Sequence, residues 1–596
     1  MKRTRIRRIV PRTLLLSLLL SAHLCSSAMA QTAQGQWKTL PYLMPINPIH
    51  MALMNNGKVL IVAGSGNVPT NIDYEAAVWD PRTGTITTQP VGWDMFCNGM
   101  VVLPDGRVFI NGGNLRYDPF LGEVRSSAYD PTTGQFTDLE SMAHGRWYPT
   151  VTTLGDGSVM TFSGLSEFGL TNTAVEIYTV GSGWSPEYQS GWTPPLYPRM
   201  HLLPNGNVFV SGPAPVSTMF NTTTKIWSPV ASTKYSGTRT YGSSVLLPLT
   251  PADGYKPRVM IFGGGDPATA TTELIDLSVA TPQWQYGPPM SQPRIEMNAT
   301  ILPNGKVLAL GGSTNDEDAT TASLNADLYD PDTNTFSSAG ANAFPRLYHS
   351  NALLMPDATV WVTGGNPQRG TYEQHMEIYS PAYLFNADGS LATRPTIAGT
   401  PAAIGYGGGF QVQTADAANI TSVVLMRPGA PTHAFDMDQR LVKLSYTVGS
   451  GVLNVTAPPN GNIAPPGYYM LFVLSLTGVP SIASFVQLSA SPADFSLSAT
   501  PASRTVLPGG STSYTATVTP GTGFTGSVGF SVSGLPPGAT AAFNPTSVNG
   551  SGSTTMNVTT SITTLPGTYQ LTITGDSGGL VHGATVTLIV GLPPLM

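Results

Sequence analysis

Cysteine is nearly missing from this chain: Cys25 and Cys97 are the two in 596 residues. A disulfide framework is therefore excluded as a source of stability. Charge is sparse as well, at 10% of residues, with 28 basic against 34 acidic side chains and a formal balance of −6. That balance excludes nucleic acid and anionic membrane surfaces as partners. Beyond the N-terminal stretch, no apolar run approaches the length of a membrane span. Nucleophile-elbow and phosphate-loop motifs are absent, and Gly263-Gly264-Gly265-Asp266 is only a glycine run inside a repeat. The aspartates of Asp80-Pro81, Asp130-Pro131 and Asp330-Pro331 are turn residues, so no glycosidase carboxylate pair is indicated.

What the chain does have is glycine (64), proline (52) and 41% hydrophobic residues, a turn-rich β composition able to bury a sizeable core. Lys2, Arg3, Arg5, Arg7, Arg8 and Arg12 precede the apolar stretch Leu14 to Leu20, and Ala28-Met29-Ala30 offers a small-residue cleavage site. Residues 1–30 are thus predicted to be a signal peptide, and the mature protein to be secreted or periplasmic. Arg7-Arg8 leaves the choice between the general and twin-arginine export routes open. Cleavage after Ala30 leaves 22 basic against 34 acidic residues, a balance of −12, and one cysteine, Cys97.

From residue 55 to 365 one pattern recurs: a Gly-containing turn, a short β-type run, then Gly or Gly-Gly. Its last glycines are Gly64, Gly113, Gly164, Gly212, Gly264, Gly312 and Gly365. A β repeat of about fifty residues ending in Gly-Gly is the pattern of kelch propeller blades, each a four-stranded sheet. Asn56-Gly57, Asp105-Gly106, Asp156-Gly157, Asn205-Gly206 and Asn304-Gly305 are two-residue hairpin corners. The fold class is therefore all-β, with residues 31–394 forming a seven-bladed kelch propeller. The segment from Gln36 to Ile49 is expected to supply the strand that closes the last blade. Residues 395–489 read as an immunoglobulin-like β-sandwich, with strands such as Ser422 to Met426, Leu441 to Tyr446 and Tyr468 to Leu474. Residues 490–596, rich in Ser, Thr and Gly, read as a further immunoglobulin-like accessory module. A glycan or cell-surface contact is left open for it.

Four remote segments carry residues able to hold a metal. They are Trp93-Asp94-Met95-Phe96-Cys97-Asn98-Gly99, Gly145-Arg146-Trp147-Tyr148-Pro149-Thr150, Leu347-Tyr348-His349-Ser350, and Thr432-His433 with Asp438-Gln439-Arg440. The first three hold the same place in their repeats, just before a blade's inner strand, and so face one rim of a central channel. A loop of the following sandwich could cap that rim. Imidazole and phenolate ligands suit copper but do not by themselves select it. The other mature histidines, His50, His144, His201, His375 and His582, show no ligand spacing and are read as structural or surface residues.

Together with Pro465-Pro466-Gly467-Tyr468-Tyr469-Met470-Leu471-Phe472, these segments resemble the copper radical oxidases, the group of galactose oxidase and glyoxal oxidase. The resemblance runs from about residue 40 to 489 and makes the sandwich an early-set (E-set) domain. It implies one copper ion per chain, held by Tyr148, Tyr348, His349 and His433. It also implies that Cys97 joins Tyr148 through a thioether, that the joined Tyr148 carries a radical, and that Tyr348 is the catalytic base. The implied substrates are small aldehydes or primary alcohols with dioxygen, which is reduced to hydrogen peroxide. One departure is visible: galactose oxidase stacks a tryptophan over the crosslinked tyrosine, whereas Gly164-Leu165-Ser166-Glu167-Phe168-Gly169 contains none. Phe168 is the candidate substitute, and Trp147 is read as a packing residue. The Arg146-Trp147-Tyr148-Pro149 form leans towards glyoxal oxidase, with oxidation of primary alcohols or galactose as the alternative. A non-catalytic, glycan-binding propeller is the alternative of another class.

Overall fold

Short runs of Val, Ile, Leu and Phe between turn residues pair into antiparallel ladders, because β-branched and aromatic side chains fit a pleated, buried surface. The computed structural model describes residues 33–489, 494–521, 524, 526–578 and 580–591, and the leader expected over residues 1–30 lies outside them. Seven sheets of four or five strands follow one another from His50 to Ser380. Their first strands are His50–Leu53, Gly99–Val102, Thr150–Thr153, Met200–Leu202, Ser243–Leu246, Ile295–Ile301 and Ser350–Leu354. Each of these is buried along its whole length. The first strand of the first sheet packs beside that of the seventh. Gln36–Leu43 is the outer strand of the seventh sheet, pairing with His375–Ser380.

Hairpin corners set the register within each sheet. Gly106 and Gly157 take φ of 91° and 88°, a region open to glycine and strained for other residues. The seventh sheet places Ala358 at such a corner, with φ 65°.

A second repeated device lies at the opposite end of the strands. Buried arginines precede the first strands of the third, fifth, sixth and seventh sheets, and each reaches a carboxylate on its sheet's third strand. The pairs are Arg146–Glu176 at 2.8 Å, Arg239–Glu273 at 2.7 Å, Arg294–Asp327 at 2.8 Å and Arg346–Glu377 at 2.7 Å. The same guanidinium donates to a carbonyl at or just past the far end of the second strand: Ser163 at 3.0 Å, Gly263 at 2.7 Å, Gly311 at 2.9 Å and Gly364 at 3.1 Å. These pairs fix the loops that enter the first strands, and two of the loops carry Tyr148 and Tyr348.

In the sandwich, Ile420–Arg427 lies between Arg440–Leu444 and Gly467–Ser475, and Ser484–Ser489 pairs on the far side of Gly467–Ser475. The run expected as one strand from Leu441 to Tyr446 divides at Ser445. Arg440–Leu444 stays in this sheet, while Tyr446–Gly449 crosses to pair with Val452–Thr456 in the other. The Asp438-Gln439-Arg440 motif ties the sandwich to the preceding sheets. Asp438 accepts from the Val102 amide at 2.8 Å and from Arg427 at 2.6 Å. Gln439 exchanges bonds with Ile301 and Ala299 at 3.0 and 2.8 Å, and Arg440 donates to the Leu202 carbonyl.

The seven sheets and this sandwich, apart from Ala403–Gly405, form one compact unit, and the C-terminal residues with Ala403–Gly405 form a second. The second has a four-stranded and a five-stranded sheet around Tyr514, Met556, Leu571, Ile573 and Leu588. Its ladders are antiparallel except where Ser503–Val506 runs parallel to Leu580–Val590.

Candidate metal centre

One backbone slot is repeated before the first strands. Cys97, Tyr148, Tyr241, Glu296 and His349 each lie two residues ahead of the strand position paired just before the glycine turn. All five have positive φ: 62°, 70°, 53°, 61° and 65°. Tyr197, ahead of the fourth sheet, has φ 45°. A non-glycine residue in this region is uncommon and strained, and such residues cluster where structure is held for function. The peptides link head to tail: the Tyr148 amide donates to Cys97 O at 3.0 Å, Tyr197 to Tyr148 O at 3.0 Å, and Glu296 to Tyr241 O at 2.9 Å.

His433 arrives from the sandwich. Thr432 pairs with Phe435, so His433 and Ala434 are the two corner residues of a tight hairpin, with φ of 46° and 65°. Positive φ at both positions is the pattern usually served by Asn-Gly. Two bonds hold the corner: Arg199 Nη2 donates to His433 O at 3.1 Å, and Thr432 Oγ1 donates to Ile49 O at 2.9 Å.

Cys97, Tyr148, Tyr348, His349 and His433 meet in space. The ligand atoms of Cys97, His349 and His433 lie within 4.8 Å of one another. The hydroxyls of Tyr148 and Tyr348 face each other in a hydrogen bond. The His433 ring lies 4.8 Å from that of Tyr148, 5.3 Å from Tyr348 and 4.7 Å from His349. Cys97, His349 and His433 are buried, whereas both phenols keep some exposure.

Tautomers follow from the partners. Thr432 gives its one hydroxyl proton to the Ile49 carbonyl, so His433 Nδ1, 2.5 Å from Thr432 Oγ1, must be the donor in that contact. His433 Nε2 is left with a lone pair directed at the cluster, 3.6 Å from Cys97 Sγ. Neither ring nitrogen of His349 has a well-formed hydrogen bond. A buried imidazole that has no well-formed hydrogen bond and interacts weakly with Asn366 is costly on its own and fits a ligand whose metal is its partner. Burial pulls the His349 imidazolium down to about 3, and pulls His433 well below its ordinary value, with His349 adding to the effect. Burial also pushes the Tyr148 and Tyr348 phenols and the Cys97 thiol well up. Without a cation the whole set is neutral. A dication would favour the phenolate forms and reverse that preference. Two imidazole nitrogens, two phenol oxygens and a thiol make a donor set that copper suits.

Three residues overlooked in the sequence belong to this region. Tyr197 packs 4.5 Å from both the Tyr148 and His433 rings. Tyr241 lies 5.1 Å from Tyr348. His50, read as structural or surface, is fully buried, and its Nε2 accepts the Cys97 amide at 3.0 Å. The repeat alignment itself would have found Tyr241, and nothing in the sequence marks His50. The expected stacking partner also changes. Phe168 is 71% exposed, and its ring contact is His144 at 6.5 Å. The ring against Tyr148 is that of Trp147, 3.9 Å away, with Phe120 stacked on its other side at 4.2 Å.

Comparisons with known proteins identify the family. Residues 67–383 match the family described as glyoxal oxidase N-terminus, and residues 394–488 match the galactose oxidase-like, early set domain. A galactose oxidase of Gibberella zeae is 27% identical over 496 residues, 77% of this chain and 71% of that protein. The aldehyde oxidase GLOX of Vitis pseudoreticulata is 31% identical over 467 residues, 69% of this chain and 85% of that one. Among solved structures, a fungal alcohol oxidase of the AA5 family in complex with copper superposes with a TM-score of 0.68. It is 27% identical and covers 76% of this chain and 100% of that one. The chain belongs to the copper radical oxidase family of galactose oxidase and glyoxal oxidase.

Proposed function

We propose that this protein is an exported copper oxidase that converts small aldehydes to carboxylic acids and reduces dioxygen to hydrogen peroxide. The observation that carries this reading is the convergence of Cys97, Tyr148, Tyr348, His349 and His433, with neither nitrogen of buried His349 in a well-formed hydrogen bond. Tyr148, Tyr348, His349 and His433 would hold the ion. Copper, when bound, would supply an open coordination position for a substrate oxygen and accept one of the two electrons released. In this reading Cys97 is joined to Tyr148 by a thioether, and the joined ring is the second one-electron acceptor.

The chain's own residues then divide the work. A hydrated aldehyde presents a hydroxyl to the two phenols. Tyr348, as phenolate, takes the hydroxyl proton. Tyr148 takes a hydrogen atom from the adjacent carbon, leaving a carboxylic acid. Trp147, packed on Tyr148 and backed by Phe120, keeps water from that ring. Dioxygen receives the two electrons and two protons. A primary alcohol meets the same geometric requirement and is the second reading, favoured by the likeness to an alcohol oxidase structure. The glyoxal oxidase match over residues 67–383 and the ring contact from Trp147 support the aldehyde reading.

The same reading takes the seven sheets of residues 31–394 as a closed seven-bladed kelch propeller. Residues 395–489 are its E-set cap and residues 490–596 an immunoglobulin-like accessory module. Residues 1–30 are removed on export. A steady-state comparison of methylglyoxal, glyoxal, glycerol and galactose at equal copper loading tests the substrate. The aldehydes should exceed galactose in kcat/KM by at least about tenfold, a transition-state difference of about 1.4 kcal/mol. Preference for galactose would overturn the aldehyde assignment.

A further inference from the structure

We propose that His50 is a positioning residue that holds Cys97 for thioether formation with Tyr148. The inference rests on the oxidase reading above and assigns a step in building its site. His50 opens the first strand of the first sheet and is fully buried. Its Nε2 lies 3.0 Å from the amide nitrogen of Cys97, 47 positions along the chain. Cys97 sits at φ 62°, outside any ladder, so its amide has no strand partner. A buried amide left unpaired destabilises the conformation that exposes it, and a left-handed residue other than glycine is already strained. The imidazole removes the first of these penalties and thereby selects the left-handed form. The Cys97 carbonyl is held from the other side by the Tyr148 amide at 3.0 Å. With both ends of the residue fixed, the thiol has little freedom except χ1, and it stays beside His433 Nε2 at 3.6 Å.

Because Nε2 accepts an N–H, the neutral ring carries its proton on Nδ1, which has no partner. The Nε2 lone pair is spent on a backbone amide, so His50 is not a further metal ligand, although its ring stands 5.5 Å from that of His433. The covalent step balances as follows. A bond forms between Cys97 Sγ and a ring carbon of Tyr148, and one S–H and one C–H bond break. Two protons and two electrons pass to dioxygen, giving hydrogen peroxide, in the copper-loaded protein. His50 touches none of the reacting atoms. It shortens the search of the thiol for the ring.

Three variants of the full-length protein separate an acceptor role from simple packing. His50→Gln places a carbonyl oxygen where Nε2 stands, His50→Asn reaches only as far as Nδ1, and His50→Leu fills space without an acceptor. Each is loaded with copper under air. Thioether formation is followed by thiol labelling after denaturation and by intact mass, which falls by two hydrogens. Wild type and His50→Gln should lose the labelled thiol at comparable rates. His50→Asn and His50→Leu should be slower by about tenfold, the effect of one lost buried hydrogen bond. Copper bound per chain should be the same in all four, because every proposed ligand is intact. Equal rates for His50→Gln and His50→Asn would overturn the inference, as would a His50→Gln as slow as His50→Leu. A wild type that keeps its labelled thiol would overturn the oxidase reading and this inference with it, a result distinct from either of the others.

Discussion

His433 stands on a corner of two left-handed residues, and His349 lacks a well-formed hydrogen bond, so both imidazoles are held in place at some cost to the fold. Such cost is recovered when a cation binds. Changing His349 or His433 to Ala should therefore abolish tight copper binding, with at most a small loss of folding stability. Metal analysis after dialysis against a weak chelator checks this, and full retention of copper in either variant would remove that residue from the ligand set. Tyr348→Phe keeps the ring and its packing against Tyr241 but removes the hydroxyl. Loss of a general base lowers turnover by about 10²–10⁴-fold, and here the melting temperature should barely move. Stopped-flow and thermal scans of the same sample separate the two effects. Sequence reading picked out Cys97, Tyr148 and the Tyr348-His349 pair because Cys, Tyr and His stand out chemically just before an inner strand. It missed His50 because that residue lies inside a strand and its partner is a backbone amide, which no side-chain pattern reveals. It read Trp147 as a packing residue and looked to Phe168 for the stacked ring. Tyr148 is not in a regular strand: φ 70° turns its ring back against Trp147.

The arginine–carboxylate pairs are the joints of the element scale. Arg346 bonds both Glu377 and the Gly364 carbonyl, and it fixes the peptide that leads into Tyr348 and His349. Removing one partner of a buried pair costs about 3–5 kcal/mol because the other charge is left uncompensated. Arg346→Met should therefore lower stability by that order and weaken copper binding together. Denaturant unfolding and copper titration on one preparation check it, and intact stability would show that the pair is not a joint. The hairpin corner at Ala358 offers the opposite sign. Its φ of 65° suits glycine, so Ala358→Gly should stabilise by about 0.5–1 kcal/mol. A lower melting temperature in that variant would contradict the strain argument. Glycine spacing made the seven repeats legible, since each marks a turn that only a few residues can form. The division of the sandwich strand at Ser445 was not legible, because apolar and polar residues alternate straight through it from Val442 to Tyr446 and pairing partners decide which sheet each half joins.

At the scale of the molecule, every proposed ligand lies before residue 440, within the unit that holds the seven sheets and the sandwich. Removing residues 490–596 should leave copper binding and turnover unchanged. Removing residues 395–596 should abolish both, since His433 and the loop of Asp438, Gln439 and Arg440 go with the sandwich. Activity surviving the longer truncation would show that the sandwich does not complete the site. The central claim is that one copper ion, two tyrosines and Cys97 together carry out a two-electron oxidation by dioxygen. Its most direct test follows oxygen uptake and hydrogen peroxide together while copper-loaded protein oxidises methylglyoxal. The account predicts one peroxide for each oxygen consumed and each aldehyde oxidised, with neither signal in His433→Ala. Fully loaded wild-type protein that consumes no oxygen with small aldehydes, primary alcohols or galactose would contradict it.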